Sequence, residues 1–182
     1  MTDTKRAYFE PALNINQSIG KARGILVDTE PKVVQKVIEQ LTTQPTETQP
    51  GQFPFAQKSN AIFTQNGRGN NWALGYSNTY RESNCRASGG MGADDGSNDP
   101  MLFESVMEML RLKAESADYY HGTLLFHSLA GGTGSGLGSR LIESYREYFG
   151  RSTHLMTVSI WPSMAGETPL QQYNTCLSLA TL

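Results

Sequence analysis

Apolar residues recur along this chain with two periods, which predict strands alternating with helices. Short apolar runs typical of buried strands occur at residues 24–27, 61–63, 122–129 and 153–160. Apolar positions three and four residues apart, typical of amphipathic helices, occur at residues 31–43, 99–118, 137–149 and 170–182. The alternation predicts an α/β fold with three layers, in which helices flank a mostly parallel sheet.

Three stretches lack either period. Residues 1–24 are polar and irregular and favour a loose terminus or surface loop. Residues 44–59 are rich in Pro, Thr and Gln and predict a loop. Residues 78–99 have almost no large apolar groups and predict a mobile insertion, whose acids lack the spacing of a calcium-binding EF-hand. The whole chain, residues 1–182, is interpreted as one domain or part of a larger one.

Composition excludes several classes of protein to which this chain could belong. A net charge of −2 with scattered basic residues gives no footprint for nucleic acid, so no nucleic-acid partner is expected. Two distant cysteines, Cys85 and Cys176, suggest a reducing compartment and no disulfide. The sequence has neither an apolar run long enough to span a membrane nor a signal peptide, and it predicts a cytoplasmic protein with no membrane partner.

A glycine-rich stretch, Ala130-Gly-Gly-Thr-Gly-Ser-Gly136, lies between a predicted strand and a predicted helix. There, α/β proteins hold phosphates: glycines let the backbone approach the anion, amides point into the turn, and the helix start adds partial positive charge. Thr133 and Ser135 add hydroxyl donors. The stretch lacks the lysine of a Walker A loop and the Gly-x-Gly-x-x-Gly spacing of a dinucleotide fingerprint, and a purely structural turn is the alternative.

Two further loops follow predicted strands, one with Asp28 and Glu30 and one with Asn70, and a third lies at residues 161–169. Because parallel strands end at one edge of a sheet, all three are expected to converge on the glycine stretch. Asp28 and Glu30 could reach a metal or ribose hydroxyls, or the segment could simply cap the helix at Pro31. Asn70 could meet a nucleotide, or serve a structural turn. Without a lysine, amides, the helix dipole and Mg²⁺ on Glu30 or Asp28 would neutralise a phosphate.

His127 precedes the glycine stretch and is interpreted as a strand histidine with satisfied hydrogen bonds. A serine hydrolase is the weaker alternative, because the Gly-x-Ser-x-Gly elbow is absent. His121 and His154 have no metal-ligand spacing with either cysteine, so no zinc site is expected.

Four segments, in this order, resemble tubulins: Val27-Asp-Thr-Glu-Pro31, Gly69-Asn-Asn-Trp72, Ala130 to Gly136, and Gln172-Tyr-Asn174. The third is similar to the tubulin signature loop Gly-Gly-Gly-Thr-Gly-Ser-Gly, which cradles the phosphates of GTP. Together they span most of the chain from Gly24 to Leu182. Ala130, the Leu-Gly that follows the loop, and Ile160-Trp-Pro162 look more like delta-tubulins than α or β chains.

The resemblance implies an incomplete N-terminal GTP-binding domain, which needs GTP and Mg²⁺. Its nucleotide-binding positions would be Ser128, Ala130, Gly131, Gly132, Thr133, Gly134, Ser135, Asn70, Asp28 and Glu30. Of these, Glu30 and Asp28 would serve the metal. The implied partners are other tubulin subunits or centriolar and microtubule proteins, and the implied location is the cytoplasmic cytoskeleton at centrioles or basal bodies. A structural or interaction fragment that binds no nucleotide is the alternative.

Several departures from the tubulin pattern limit what can be carried over. The first tubulin strand and its Gly-Gln-Cys-Gly-Asn-Gln loop have no counterpart. Gln171 stands where α and β chains have a ribose-contacting Glu, and the Trp161 loop is one residue shorter. The residues that read the base and complete hydrolysis are expected outside the chain, so no catalytic residue is assigned and a GTPase activity is left open.

Overall fold

The structure is a computed structural model that describes residues 9–10, 21–42, 60–64, 67–77, 86–87, 102–163 and 169–182. Its strands are β1 (Phe9–Glu10), β2 (Lys21–Ala22), β3 (Leu26–Asp28), β4 (Ala61–Phe63), β5 (Arg86–Ala87), β6 (Gly122–Ser128) and β7 (His154–Ile160). Its α-helices are α1 (Pro31–Thr42), α2 (Trp72–Tyr76), α3 (Leu102–Glu115), α4 (Gly138–Phe149) and α5 (Gln171–Thr181). A turn of π-helix, Thr133–Leu137, runs directly into α4 and is called the π turn below.

The described strands form three separate sheets, in which the longer strand pairs are parallel. β3 pairs with β4 in parallel, and β5 adds to β4 in the antiparallel sense. β6 and β7 are parallel in a register that runs from Gly122↔His154 to Ser128↔Ile160. β1 and β2 are antiparallel. The predicted mostly parallel α/β fold is therefore confirmed, although the described strands do not join into one continuous sheet.

The β3–β4 ladder lies between helices, as the predicted three layers require. Alternate residues of a strand point to opposite faces. On one face, Ala61 packs with Leu26, Phe63 and the buried Val34 and Ile38 of α1. On the other face, the buried residue Ile62 packs with Leu102 and Val106 of α3 and with Leu137 of the π turn. This core holds the strand ends of β3 and β4 against the glycine stretch.

The β6–β7 ladder presents one apolar side to solvent. Its exposed large apolar residues are Leu124, Phe126, Met156, Val158 and Ile160. Tyr145 of α4 is buried, and its hydroxyl donates to the His154 carbonyl at the start of β7. None of the helices that the structure describes is both long and apolar enough to cross a membrane.

Most predicted elements are confirmed, with differences at their ends. The prediction for residues 1–24 was wrong at β1 and β2, which pair despite their polar setting. α3 ends at Glu115, earlier than its apolar pattern suggested. The helix start predicted at Asp99-Pro100 lies outside the described residues. So does the insertion predicted at residues 78–99, apart from β5, which pairs with β4.

Candidate functional site

The glycine stretch is half loop and half helix. Residues 129–132 connect β6 to the π turn, whose wide geometry is marked by the bond from the Gly138 N–H to the Thr133 carbonyl. The Gly136 N–H donates to the Gly132 carbonyl over 2.9 Å. The first amides of a helix have no acceptor within it. The amides of Thr133, Gly134 and Ser135 therefore stand at a helix N-terminus, where partial positive charge collects.

Most glycines of the stretch are required by contact with the protein's own backbone. A Cβ on Gly132 would lie 2.7 Å from the Arg68 Cβ, and one on Gly134 would lie 2.8 Å from the Ser128 nitrogen. A Cβ on Gly136 would lie 2.2 Å from the Trp72 carbonyl oxygen. Beside Gly131, by contrast, a Cβ would meet nothing within 4 Å. Approach to an anion, the reason expected from the sequence, can thus apply to Gly131 and is not needed to explain the other three.

The hydroxyl of Ser135 is bonded within the glycine stretch. Ser135 is fully buried, and its hydroxyl donates to the Gly131 carbonyl. The side chain therefore braces the loop, and its donation to a phosphate stays a prediction. Ser128, at the loop entrance, accepts a hydrogen bond from the Ala130 N–H over 3.2 Å.

The loop after β3 meets the glycine stretch through a pair of hydroxyls. Thr29 Oγ1 and Thr133 Oγ1 are 2.7 Å apart, and Thr29 is buried. Asp28 Oδ1 accepts the Thr29 N–H over 2.7 Å. Because Asp28 bonds to its neighbour and Thr29 turns to Thr133, these side chains act at the junction of the two loops. That arrangement disfavours the helix-cap interpretation.

The loop after β4 lies on the other side of the same junction. A Cβ on Gly67 would be 3.8 Å from Glu30 Oε1, so the exposed Glu30 carboxylate lies beside this loop. Gly69 and Asn70 have φ values of 54° and 49°, in the left-handed region that glycine and asparagine tolerate best. The exposed Asn70 thus forms a tight turn next to Gly132. The predicted convergence of the three loops is confirmed.

Asn71 and the short helix α2 fasten the second loop to the helix that follows the glycine stretch. Asn71 Oδ1 accepts the Ala73 N–H over 2.9 Å and caps α2. Trp72 Nε1 donates to Ser139 Oγ on α4 over 3.2 Å. Tyr76 donates to a Glu143 carboxylate oxygen over 2.5 Å, which raises the pKa of Tyr76 above its usual value.

His127 supports the glycine stretch from beneath. It is 6% exposed, with Nδ1 3.0 Å from the Gly134 carbonyl oxygen and Nε2 2.9 Å from Ser159 Oγ. A carbonyl oxygen can only accept, so Nδ1 carries a proton, and in the neutral ring the Ser159 hydroxyl donates to Nε2. The interpretation of His127 as a strand histidine with satisfied hydrogen bonds is confirmed.

Asn174 of α5 is a buried contact that the sequence did not single out as a site residue. Its Nδ2 donates to the carbonyl oxygens of Asn70 and Ala130 over 2.7 and 2.8 Å. Its Oδ1 accepts the Trp72 N–H over 2.9 Å. One side chain thus joins both glycine-rich loops. Its place in Gln172-Tyr-Asn174 was the only signal available from the sequence.

The fourth predicted loop, residues 161–169, is described at its two ends. Gln171 is buried, and its Nε2 donates to the Ser163 carbonyl over 3.2 Å. Residues 164–168 lie outside the described part of the chain. Within the described ranges, no three or more His, Cys, Asp or Glu side chains gather as a metal cluster.

A strand, a glycine loop and a helix N-terminus, with carboxylate and amide loops converging beside them, form the arrangement in which α/β domains typically hold a phosphate. Residues 82–182 match the model of the Tubulin/FtsZ family, GTPase domain. The chain belongs to the Tubulin/FtsZ family, as the resemblance predicted.

The chain is also similar to curated proteins named tubulin delta chain. That of Canis lupus familiaris is 31% identical over 179 residues, which are 98% of this chain and 33% of the relative. The human protein is 34% identical over 162 residues, 88% of this chain and 30% of the relative. The Mus musculus protein is 32% identical over 161 residues, with the same two shares. The chain spans about a third of the length of these relatives, and their name agrees with the predicted delta-like resemblance.

Proposed function

We propose that this chain is part of a GTP-binding domain in which the glycine stretch holds the phosphates and Glu30 serves Mg²⁺. The observation that carries the proposal is the 2.7 Å contact between Thr29 and Thr133. It joins the strand end that carries the acids to the helix start that carries the amides. Open space beside Gly131 lies in the same loop.

Phosphate binding would rest on backbone amides and one hydroxyl. The amides of Gly131 to Gly134 lie at or just before the start of the π turn, where the helix dipole favours an anion. In the Thr29–Thr133 pair, one hydroxyl donates to the other, and the accepting hydroxyl keeps its own hydrogen. Thr29 is buried and Thr133 is partly exposed. When Thr29 is the donor of the pair, Thr133 keeps its hydrogen and can donate it to a phosphate oxygen.

Mg²⁺ suits the oxygen donors at the end of β3. This ion binds through one or two carboxylates together with waters and substrate phosphate oxygens. Glu30 is exposed beside Gly67, and Asp28 already accepts the Thr29 N–H with one of its oxygens. Glu30 would therefore be the main protein ligand, with Asp28 beside it. When bound, the ion would offset phosphate charge that an arginine or lysine neutralises in other sites.

Asn70 would approach the nucleotide from the opposite loop. Its backbone is held in a left-handed turn and its side chain is exposed. An amide side chain can donate to and accept from a nucleotide. Ser128, Ala130 and Ser135 would shape the loop, through the bond from the Ala130 N–H to Ser128 Oγ and the bond from the Ser135 hydroxyl to the Gly131 carbonyl.

The proposed cellular role of the protein is that of a tubulin in the cytoskeleton. Family membership and similarity to proteins named tubulin delta chain support it. The proposed partners are GTP, other tubulin subunits and proteins of microtubules or centrioles. The proposed location is the cytoplasmic cytoskeleton, at centrioles or basal bodies.

Titration of the purified protein with fluorescent GTP and Mg²⁺ tests the site, with Gly131→Asp as the main variant. A Cβ at Gly131 enters open space, so the side chain of the variant starts without a clash with the fold. Repulsion between that carboxylate and the phosphates should weaken binding at least about tenfold. Gly131→Asn, of the same shape without the charge, should bind clearly tighter than Gly131→Asp. Absence of saturable binding by the unmodified protein, or equal affinities for the two variants, would contradict the proposal.

A further inference from the structure

We propose that Asn174 is a positioning residue for nucleotide binding: it fixes the orientation of the Ala130–Gly131 peptide and the distance between the two glycine-rich loops. This inference rests on the proposed GTP site. Asn174 belongs to α5, and its role is to act through Gly131 and Asn70.

The side chain is buried where three segments meet. Asn174 is 3% exposed. Its two N–H groups donate to carbonyls of the Asn70 turn and the Ala130 loop, and its oxygen accepts from the first residue of α2. The three distances lie between 2.7 and 2.9 Å, within the range of well-formed hydrogen bonds.

The chemistry of these contacts selects asparagine. Two carbonyl oxygens need two donors, and one backbone N–H needs an acceptor, which a primary amide supplies from one end. The same pattern fixes which amide atom is nitrogen, since a flipped amide would set oxygen against two carbonyls. Aspartate at Asn174 would keep the acceptor for Trp72 but turn both donor contacts into contacts between oxygens.

The link to phosphate binding follows from the geometry of a peptide unit. The carbonyl and the N–H of one trans peptide point in opposite directions. Because the Ala130 carbonyl is held toward Asn174, the Gly131 N–H of the same peptide points away from α5. Gly131 is also the glycine of the loop with open space beside it. Asn174 therefore keeps this amide aimed as a phosphate donor.

The second donor contact sets the position of the opposite loop. Asn70 is a non-glycine residue with left-handed backbone, a conformation that needs support from its surroundings. The bond from Asn174 Nδ2 to the Asn70 carbonyl supplies that support. Both loops then face the same nucleotide at a fixed separation, and a change at Asn174 should be felt as a loss of preorganisation.

Fluorescent GTP titrations of Asn174→Asp test the inference, with Ser178→Ala as control. Ser178 is a fully buried residue of the same helix whose hydroxyl donates to the Asn174 carbonyl. Loss of two hydrogen bonds should weaken GTP binding by about 10-fold to 100-fold in Asn174→Asp. Ser178→Ala also removes a buried bond, and it should bind within about threefold of the unmodified protein. If Asn174→Asp does not fold, Asn174→Ala takes its place, and failure of both to fold while Ser178→Ala folds would overturn a positioning role.

A double-mutant cycle with Asn70→Gly separates positioning from general loss of stability. Asn70→Gly keeps the left-handed turn but removes the amide proposed to meet the nucleotide. If Asn174 acts through Asn70, Asn70→Gly should cost much less affinity in the Asn174→Asp background than alone. Costs that simply multiply, or unchanged affinity in Asn174→Asp, would overturn the inference and leave the GTP site standing. No binding by the unmodified protein would overturn both.

Discussion

Gly75 of α2 and Gly136 of the π turn touch backbone to backbone. A Cβ on Gly136 would lie 2.7 Å from the Gly75 Cα, and a Cβ on Gly75 would lie 2.1 Å from the Gly132 carbonyl oxygen. Both residues are buried. The short helix is therefore seated directly on the first turn of the helix that carries the glycine stretch, with no room for a side chain between them.

Gly136→Ala should lower the free energy of unfolding by about 3 kcal/mol, the upper part of the usual range for overpacking. The reason is that its Cβ meets backbone atoms, which cannot move aside as a flexible side chain could. Urea denaturation measures the change. Gly131→Ala is the matched control and should stay within about 0.5 kcal/mol of the unmodified protein, because its Cβ enters open space. Equal losses for the two variants would contradict this packing.

His127→Leu should destabilise the fold by about 1 to 3 kcal/mol, because the Gly134 carbonyl and the Ser159 hydroxyl lose a buried partner. Thermal unfolding measures the loss, and His121→Leu, at an exposed histidine, is the control. Nitrogen-15 NMR of the unmodified protein should find the His127 proton on Nδ1. A proton on Nε2 in the neutral ring would contradict the assigned hydrogen bonds.

Stability should fall at alkaline pH through Tyr120. Burial, together with the 2.9 Å hydrogen bond to Tyr145, raises the pKa of Tyr120 above its usual 10.0. A raised pKa in the folded state means that this contribution is fully present below pH 10 and is lost as pH rises toward the folded value. Unfolding free energies measured from pH 8 upward should therefore decline less in Tyr120→Phe. The exposed neighbour Tyr119 provides the control Tyr119→Phe, and identical pH profiles for all three proteins would refute the prediction.

Glu30→Gln should reduce the dependence of GTP affinity on Mg²⁺, because the variant loses the carboxylate proposed as the main ligand. The measurement is a GTP titration with and without the ion. Glu147→Gln makes the same change of charge at an exposed position of α4 and should keep the full dependence. A full Mg²⁺ effect in Glu30→Gln would rule out Glu30 as the main ligand.

The elements that the sequence predicted are those with enough residues to display a period. The apolar stripe of α1 and the seven-residue strands β6 and β7 are examples. The convergence of three loops was also predictable, since parallel strands place their ends together. α2 was missed because five residues are too few for a helical period. β1 and β2, at two residues each, are shorter still.

Other features depend on contacts between distant parts of the chain. Asn174 is 104 positions from Asn70 and 44 from Ala130, so its role cannot be inferred from local pattern. The burial of Ser135 was hidden because the π turn begins inside the glycine stretch. A glycine in a sequence indicates either an unusual backbone conformation or close packing against its Cα, but it does not identify the atom that packs there. Only the fold identifies Arg68, Ser128 and Trp72 as the neighbours.

The close contacts at Gly132, Gly134 and Gly136 limit the substitutions that evolution can accept at these positions. Each is required by neighbouring backbone or an adjoining Cβ, whatever the loop binds. A descendant that ceased to use a nucleotide should still inherit these three glycines, because the fold alone selects them. At position 131 a side chain is not excluded by neighbouring atoms, so substitutions should accumulate there first. Within this stretch, the residue at position 131 would show whether the ligand is still bound, and the glycines at 132, 134 and 136 would show only that the fold is kept.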